Sequence, residues 1–412
     1  MEYTLEEKYN RLLQEDAAQK KKEGPPLVLK VLDLIIQQAV EERATDVHLE
    51  PERDGLRIRF RIDGVLHEVL RIPNKTQLNV ISSLKIKAKM SVDPVERSIP
   101  QSGHLAAEFS GMPVDFRLSS FPTAYGDKVV MRVLDRATGL YPLDQLGFSQ
   151  NLLPKFKKLL EQPYGAIFVT GPTSSGKTTT LYAVLNTLNT PDRNIITLED
   201  PVEYDMDGMY QGQINPKIGF TFAEGLRAIL RQDPNIIFIG EIRDLETAEI
   251  AMRSSLVGQL VFSTLHTNDA PGAITRLVDM GVEPFLISSS LLGVLNQRLV
   301  RIICQSCRTP EKPPDILLAA LSKQVPDMDL EKVTLYKGRG CPVCKNTGYK
   351  GRTGVFEMMV MNDELREATL KKVPVRELRQ IARKHGMRTL EEVGMEKVVQ
   401  GITTVEEVLR VT

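Results

Sequence analysis

Gly171-Pro172-Thr173-Ser174-Ser175-Gly176-Lys177-Thr178, followed by Thr179, matches G-x-x-x-x-G-K-[ST] at every defined position. The chemistry this spacing suits is the holding of a polyphosphate. Backbone N–H groups of a glycine-rich turn wrap the phosphates, and the N-terminus of the following helix adds partial positive charge. In such a loop Lys177 reaches the β/γ oxygens and Thr178 ligates Mg²⁺. A glycine-rich turn can match by accident, so the flanks decide. The β-prone run Ala166–Thr170 leads in, and Leu181, Val184, Leu185 and Leu188 recur behind it with helical period. Strand, glycine-rich turn and helix is the geometry the loop requires.

Three later segments extend this reading. Ile195–Leu198 is β-prone and delivers Glu199, Asp200 and Glu203 to its C-terminal end, which is where ligands sit in an open α/β sheet. Ile236–Ile239 is a buried-type strand followed by Glu241, an acid suited to Mg²⁺ coordination and water activation. Leu260–Leu265 ends in His266, Thr267 and Asn268, polar groups suited to sensing a γ-phosphate. Each segment alone also reads as a buried strand with a polar cap. Their order behind a phosphate loop favours the nucleotide reading.

Cys304-Gln-Ser-Cys307 and Cys341-Pro-Val-Cys344 offer four thiolates, the donor set of tetrahedral zinc. All four ligand places would be filled by protein, so the site would be structural. The intervening residues 308–340 exceed a compact zinc ribbon, and a helix near Pro314–Lys323 is expected to fill them. Two redox dithiols or four reduced buried cysteines are the alternatives. A chain of this length with no secretory signal favours metal over disulfides.

These groups need scaffolding, and the 412 residues allow two to four domains. The chain is 42% hydrophobic and 26% charged, with 53 basic and 53 acidic residues. Zero net charge argues against coating nucleic acid, and no nucleic-acid partner is expected. No apolar run approaches membrane-spanning length, so a soluble, cytoplasmic protein is expected, with any membrane association made through partners.

Residues 1–25 read as a charged segment. Leu5, Tyr9, Leu12 and Leu13 fit one helical face, with a solvated tail as the alternative. Residues 26–135 read as a small α+β domain. Within it Leu56, Ile58, Phe60 and Ile62 alternate with Arg57, Arg59 and Arg61, and Asp63-Gly64 makes a hairpin turn. A connector (136–150), an α/β phosphate-loop core (151–300), a tetracysteine module (301–352) and a helical C-terminal region (353–412) follow. The expected fold class is therefore α/β, with a smaller α+β domain ahead of it.

At these motifs the chain resembles a known family. "GPTSSGKTTTLY", "ITLEDPVEY" and "RQDPNIIFIGEIRDLETAEIAMRSSLVGQLVFSTLHTNDAPGAITRL" are similar to the Walker A, Asp box, and Walker B with His box of the secretion-superfamily ATPases. "ATDVHLEP" and "RIRFRIDGVL" are similar to their N-terminal domain. The resemblance runs from about residue 27 to 412. It implies a RecA-like core that binds ATP and Mg²⁺ through Gly171 to Thr179. Glu203 and Glu241 would activate water and position metal, and His266 would couple γ-phosphate state to conformation. Arg117 and Arg132 match the family's trans-acting arginine fingers, with surface arginines on an alternating strand as the bland alternative. Arg57, Arg59 and Arg61 are further candidates for that role.

The resemblance further implies a cytoplasmic homo-hexamer that powers type IV pilus or type II pseudopilus assembly. It would lie peripheral to the inner membrane through a platform protein. The tetracysteine module points toward assembly or secretion. A DNA-uptake or retraction motor, or a nucleotide-gated scaffold with negligible turnover, is the alternative. Four positions depart from the family pattern: Gln259 for histidine, Ser102 and His104 for aspartate and arginine, and Asp127 for glutamate. These bear on fine nucleotide sensing, and Gln259 favours the scaffold reading. The upstream domain that docks many relatives to the platform is not expected here.

Overall fold

A computed structural model describes residues 4–18, 26–93, 95–109, 112–135, 141–312 and 334–412. The chain divides into two compact units, Met1–Gly139 and Leu140–Thr412. The expected helix near Pro314–Lys323 lies outside the described residues.

The first unit wraps three helices, Leu5–Ala18, Leu27–Glu41 and Asn74–Lys87, on a six-stranded sheet. Its strands are β1 (Asp46–Glu52), β2 (Gly55–Ile62), β3 (Val65–Pro73), β4 (Gln101–Phe109), β5 (Met112–Thr123) and β6 (Gly126–Asp135), in the order β3-β2-β1-β6-β5-β4. Asp63 and Gly64 both take positive φ (50° and 85°), which gives the two-residue turn a twist that matches the strands. The alternation in β2 sorts as expected: Leu56, Ile58 and Phe60 are buried, and the arginines face out. Leu5 and Tyr9 are buried in this unit's core, with Leu12 and Leu13 against it, so the first helix is packed rather than a solvated tail.

The second unit is built on a seven-stranded sheet in the order β15-β12-β7-β11-β10-β8-β9. Its strands are β7 (Gly165–Thr170), β8 (Ile195–Glu199), β9 (Tyr210–Gln213), β10 (Ile236–Ile239), β11 (Leu260–Leu265) and β12 (Leu291–Ile303), closed by β15. Between them, β13 (Arg308–Glu311) and β14 (Leu335–Gly338) form a separate ribbon beside the cysteines, and β15 spans Tyr349–Val360. All neighbours in the large sheet are parallel except β12 and β15.

Two boundaries differ from the sequence reading. Residues 141–150 belong to the second unit, because Leu143 is buried and Phe148 stacks on Phe356 and Phe156 at 3.9 and 5.3 Å. The region from 353 is not helical at its start. Val355–Met359 is buried strand, and a strand buried on both faces lacks the alternation that marks it. The helices then follow at Asp363–Leu370, Val375–Lys384, Leu390–Val399 and Val405–Val411.

Candidate nucleotide site and tetracysteine cluster

β7 is buried along its whole length and ends at Thr170, where the chain must turn sharply into a helix. Gly171 and Gly176 take φ of 140° and 88°, and Ser174 takes 63°. A Cβ at Gly171 would stand 2.6 Å from the Gln297 carbonyl oxygen and 2.7 Å from Ser175 Oγ, so only glycine fits. The helix Lys177–Leu188 starts directly after Gly176, its N-cap. Pro172, Thr173, Ser174 and Thr178 are exposed, while Ser175 is buried and Thr179 half-buried. Thr178 in the exposed first turn can reach a metal ion. The Ser175 and Thr170 hydroxyls are buried with no hydrogen-bond partner among the described residues, which fits a loop whose polar atoms serve a ligand.

Lys177 Nζ donates to the Gly171 and Pro172 carbonyls at 2.8 and 3.0 Å. Burial, opposed by Glu241 and aided by the Arg298 charge, holds this ammonium down at about 8. Glu241 follows β10 and is ion-paired with Arg243. His266 Nε2, just beyond β11, lies 3.8 Å from Glu241 Oε2. Burial lowers the His266 pKa, and the Lys177 charge adds to the effect, so the ring is neutral near pH 7. Lys177, Glu241 and His266 thus share one electrostatic neighbourhood at the C-terminal edge of the parallel sheet, where the topology places ligands.

The three carboxylates after β8 have separate fates. Glu199 is buried and accepts from Tyr182 Oη at 2.5 Å, Thr197 Oγ1 at 2.6 Å and Gln211 Nε2 at 3.2 Å. Burial pushes its pKa up, against these donors. Asp200 is exposed, and Glu203 is half-buried on the next loop. The Glu203 backbone N–H donates to Tyr182 Oη at 3.3 Å. Tyr182 therefore ties the phosphate-loop helix to the segment carrying Glu203. Sequence reasoning missed it; a tyrosine on the buried face of an apolar helix was the available signal.

Of the departures from the family pattern, Gln259 sits away from this edge, and the other three belong to the first unit. Gln259 precedes β11 and its carbonyl accepts from Gly165 N–H, at the start of β7. Six strand residues, about 20 Å, separate that end from the phosphate loop. Gln259 therefore cannot touch nucleotide there, and the support it lent to a scaffold reading falls. In the first unit Asp127 makes a buried 2.8 Å ion pair with Lys85, and His104 Nε2 lies 3.6 Å from Asp115 Oδ1. Ser102 pairs in register with Ser119.

Arg117 on β5 stands directly opposite Arg132 on β6, so the two share a face of the first unit's sheet. Arg132 Nε lies 3.1 Å from Asp46 Oδ1 and its side chain is 54% exposed. Arg57, Arg59 and Arg61 are likewise paired within the unit: Arg57 and Arg59 with Glu50 at 3.3 and 2.7 Å, and Arg61 with Asp46 at 3.6 Å.

The four cysteine sulfurs all lie within 4.8 Å of one another. Cys341–Cys344, Cys307–Cys344 and Cys304–Cys341 are 3.7, 3.8 and 3.9 Å apart. Four thiolates at Zn–S distances of about 2.3 Å on a tetrahedron stand about 3.8 Å from each other. The spacing fits a metal and is too long for disulfides. Backbone N–H groups of Cys341 and Gly348 point at Cys344 Sγ at 3.2 and 3.3 Å. Burial pushes this thiol up, yet those backbone donors and the neighbouring sulfurs outweigh it and lower its pKa.

A parallel sheet, a glycine-rich loop between β7 and its helix, and an acid and a histidine on adjacent strand ends define a P-loop nucleotide-binding domain. The family follows from comparison with known proteins. The model of the Type II/IV secretion system protein family matches residues 20–410, and the chain belongs to that family. It is 50% identical to type II secretion system protein E of Xanthomonas campestris over 93% of this chain and 67% of that one. It is 46% identical to the type IV pilus assembly ATPase PilB of Thermus thermophilus over 92% of this chain and 42% of that one. Among solved structures, the pilus retraction motor PilT with bound ADP superposes with a TM-score of 0.62 at 27% identity, covering 93% of this chain and 96% of PilT. The Legionella pneumophila ATPase DotB shares the fold, with a TM-score of 0.68 at 20% identity over 95% and 97% of the two chains. The chain is an ATPase of this family, which implies ATP and Mg²⁺. Among the described residues no helix is long and apolar enough to cross a membrane.

Proposed function

We propose that the chain is a cytoplasmic ring motor, a homo-hexamer that hydrolyses ATP to drive assembly of type IV pilus or type II pseudopilus subunits through an inner-membrane platform protein. The observation that carries this is the grouping of Lys177, Glu241 and His266 beside a phosphate loop, in a chain close to half identical to protein E and PilB. Lys177 and the loop N–H groups hold the triphosphate. Thr178 would hold Mg²⁺, which would screen the phosphate charge. Glu241 and Glu203 orient the attacking water and the metal's shell, and neutral His266 reports whether the γ-phosphate is present. Water attacks the γ-phosphorus, and the bond to the β–γ bridging oxygen breaks.

Arg117 and Arg132 act on the site of a neighbouring subunit. Standing directly opposite each other on β5 and β6, they place two forked donors on one face, suited to the oxygens of a triphosphate. Cys304, Cys307, Cys341 and Cys344 hold structural zinc, which supports assembly over retraction.

Mixed rings test the whole reading. A Lys177→Ala chain and an Arg117→Ala/Arg132→Ala chain should each hydrolyse ATP at least about 10³-fold more slowly than wild type. Mixed, they should regain activity, because some sites then hold an intact loop and intact arginines. Mixed rings without recovery would make the arginines cis-acting or purely structural. Undiminished turnover by Lys177→Ala would overturn the site itself.

A further inference from the structure

Three polar residues in β12 are left unused by this account. Asn296, Gln297 and Arg298 interrupt an apolar strand that runs between β7 and β15, and all three are buried. Buried polar side chains are kept where they make specific contacts. On one side, Gln297 Nε2 donates to the Ser175 carbonyl at 2.7 Å. The Gln297 carbonyl and an Arg298 terminal nitrogen lie 2.6 and 3.2 Å from where a Cβ on Gly171 would stand. The triplet is thus the floor beneath the phosphate loop. On the other side it grips the loop that follows His266. The Asn268 carbonyl accepts from Asn296 Nδ2 at 2.7 Å and from Arg298 Nη2 at 3.0 Å.

Arg298 is the centre of this bracket. Its Nη1 donates to Asn296 Oδ1 and to its neighbour's carbonyl at Gln297, each at 3.0 Å, and its Nε donates to the Val411 carbonyl at 3.0 Å. Every acceptor is neutral. Glu357 and Asp269 act on the guanidinium only through space. A desolvated cation held by carbonyls is a costly arrangement for stability alone. What it gains is geometry, because a rigid planar fork fixes several acceptors in one plane, which an ammonium cannot do. The far side of the same loop is anchored too. Ala270 N–H donates to Glu357 at 2.6 Å, and Asp269 pairs with Arg379. The loop after His266 is therefore held against β12 and β15 at one end, leaving His266 facing Glu241 at the other.

We propose that Arg298 is a positioning residue for ATP hydrolysis, bracing the phosphate loop and the loop after His266 at a fixed separation. This rests on the hydrolytic reading of the site. Small displacements of such groups cost far more in turnover than in binding. Steady-state hydrolysis and ATP affinity are measured for wild type, Arg298→Lys, His266→Ala and the double variant, all as full chains. Arg298→Lys keeps the charge and loses the fork. It should lower kcat about 10- to 100-fold while changing the ATP Kd less than about threefold. In the His266→Ala background its further effect on kcat should shrink to less than about threefold, because the two act through one loop.

A role in stability alone would lower activity equally in both backgrounds, and that result overturns the proposal. So does an active wild type with an equally active Arg298→Lys. A wild-type chain that turns over no ATP overturns the hydrolytic reading and the proposal with it. Should Arg298→Lys fail to fold, Asn296→Ser removes one of the two donors to Asn268 and one acceptor of Arg298, while the guanidinium itself stays. It should show the same dependence on His266 with a smaller loss, and additivity there overturns the proposal.

Discussion

Two charged clusters in the second unit are built on opposite terms. Around the phosphate loop, Lys177 is desolvated, the exposed His266 sits beside its charge, buried hydroxyls lack partners among the described residues, and three residues of the loop take positive φ. Around the C-terminal helix Val405–Val411, the charges are matched. The buried Glu407 carboxylate accepts from Arg301 Nη2, from the Arg301 backbone N–H at 3.1 Å, and from Arg410 at 2.8 and 3.0 Å. Arg301 in turn lies over the Tyr349 ring at 4.2 Å, and the Tyr349 hydroxyl meets Thr404 Oγ1 at 2.8 Å. One cluster carries strain and incomplete pairing that a ligand can complete. The other matches its charges, with Arg301 Nε left as a buried donor without a partner among the described residues, and fastens the last helix to β12 and β15. Strain of the first kind marks function, and closure of the second marks stability.

Neutralising one carboxylate in each cluster should separate these roles, and the functional cluster should give the larger effect. Glu241→Gln preserves shape and removes the charge beside His266 and Lys177. Turnover should fall about 10²- to 10⁴-fold, since water activation loses its base, while ATP affinity and the thermal midpoint stay near wild type. Equilibrium nucleotide binding beside steady-state hydrolysis checks this. Loss of ATP binding would make Glu241 a binding or folding residue instead.

Glu407→Gln should do the reverse. It strands Arg301 and Arg410 around a neutral amide and should lower unfolding free energy by about 2–4 kcal/mol, with kcat intact below the new melting point. The pH dependence carries the same contrast. Burial pushes the Glu407 carboxyl up, but hydrogen bonds from Arg301 and Arg410 outweigh it and hold the pKa at about 2, against an ordinary 4.5. A depressed carboxylate contributes its stability fully above the ordinary value and loses it as pH falls toward 2. Wild type should therefore lose stability between pH 4.5 and 2 more steeply than Glu407→Gln, as measured by denaturant titration at each pH. Parallel slopes would mean that the clasp does not fasten the helix.

The sequence exposed the two clusters unequally. The phosphate loop, Glu241 and His266 were legible because each is a local pattern: a fixed spacing, or an acid or imidazole just past a buried run. The cysteines were legible for the same reason. Tyr182, Gln297 and Arg298 were not, since their roles depend on which strands the topology sets side by side, and β12 meets the phosphate loop 122 residues away. The Glu407 clasp is likewise long-range, joining residues 106 apart. β15 was hidden because burial on both faces erases alternation. Gln259 misled by proximity in sequence: it adjoins a signature strand, but at the end away from the ligand.

The tetracysteine cluster belongs with the clasp, and removing its metal should have the smallest effect on the nucleotide site. Ile303 N–H, next to Cys304, donates to the Ile402 carbonyl at 2.9 Å, so the knuckle abuts the turn that leads into the clasp helix. Arg308 lies over the Tyr336 ring at 3.6 Å, beside Gly401. Among the described residues of the knuckles and the ribbon, Cys304, Cys344 and Leu335 are the buried ones. A metal held there would take the place of a core, and structural zinc contributes about 10–16 kcal/mol of apparent binding energy that is also folding energy. Purified chain should hold one zinc per subunit by elemental analysis. Cys341→Ser should loosen the knuckle and the last helix, seen as faster amide exchange in residues 334–348 and 401–412. ATP affinity should change less than about twofold, because the phosphate loop rests on β7 and on buried β12 contacts that the metal does not touch. Metal-free protein with four freely titratable thiols would sink the zinc assignment. A large loss of ATP affinity in Cys341→Ser would show instead that the closed cluster and the strained one are not independent, with Arg298 and its bond to Val411 as the link between them.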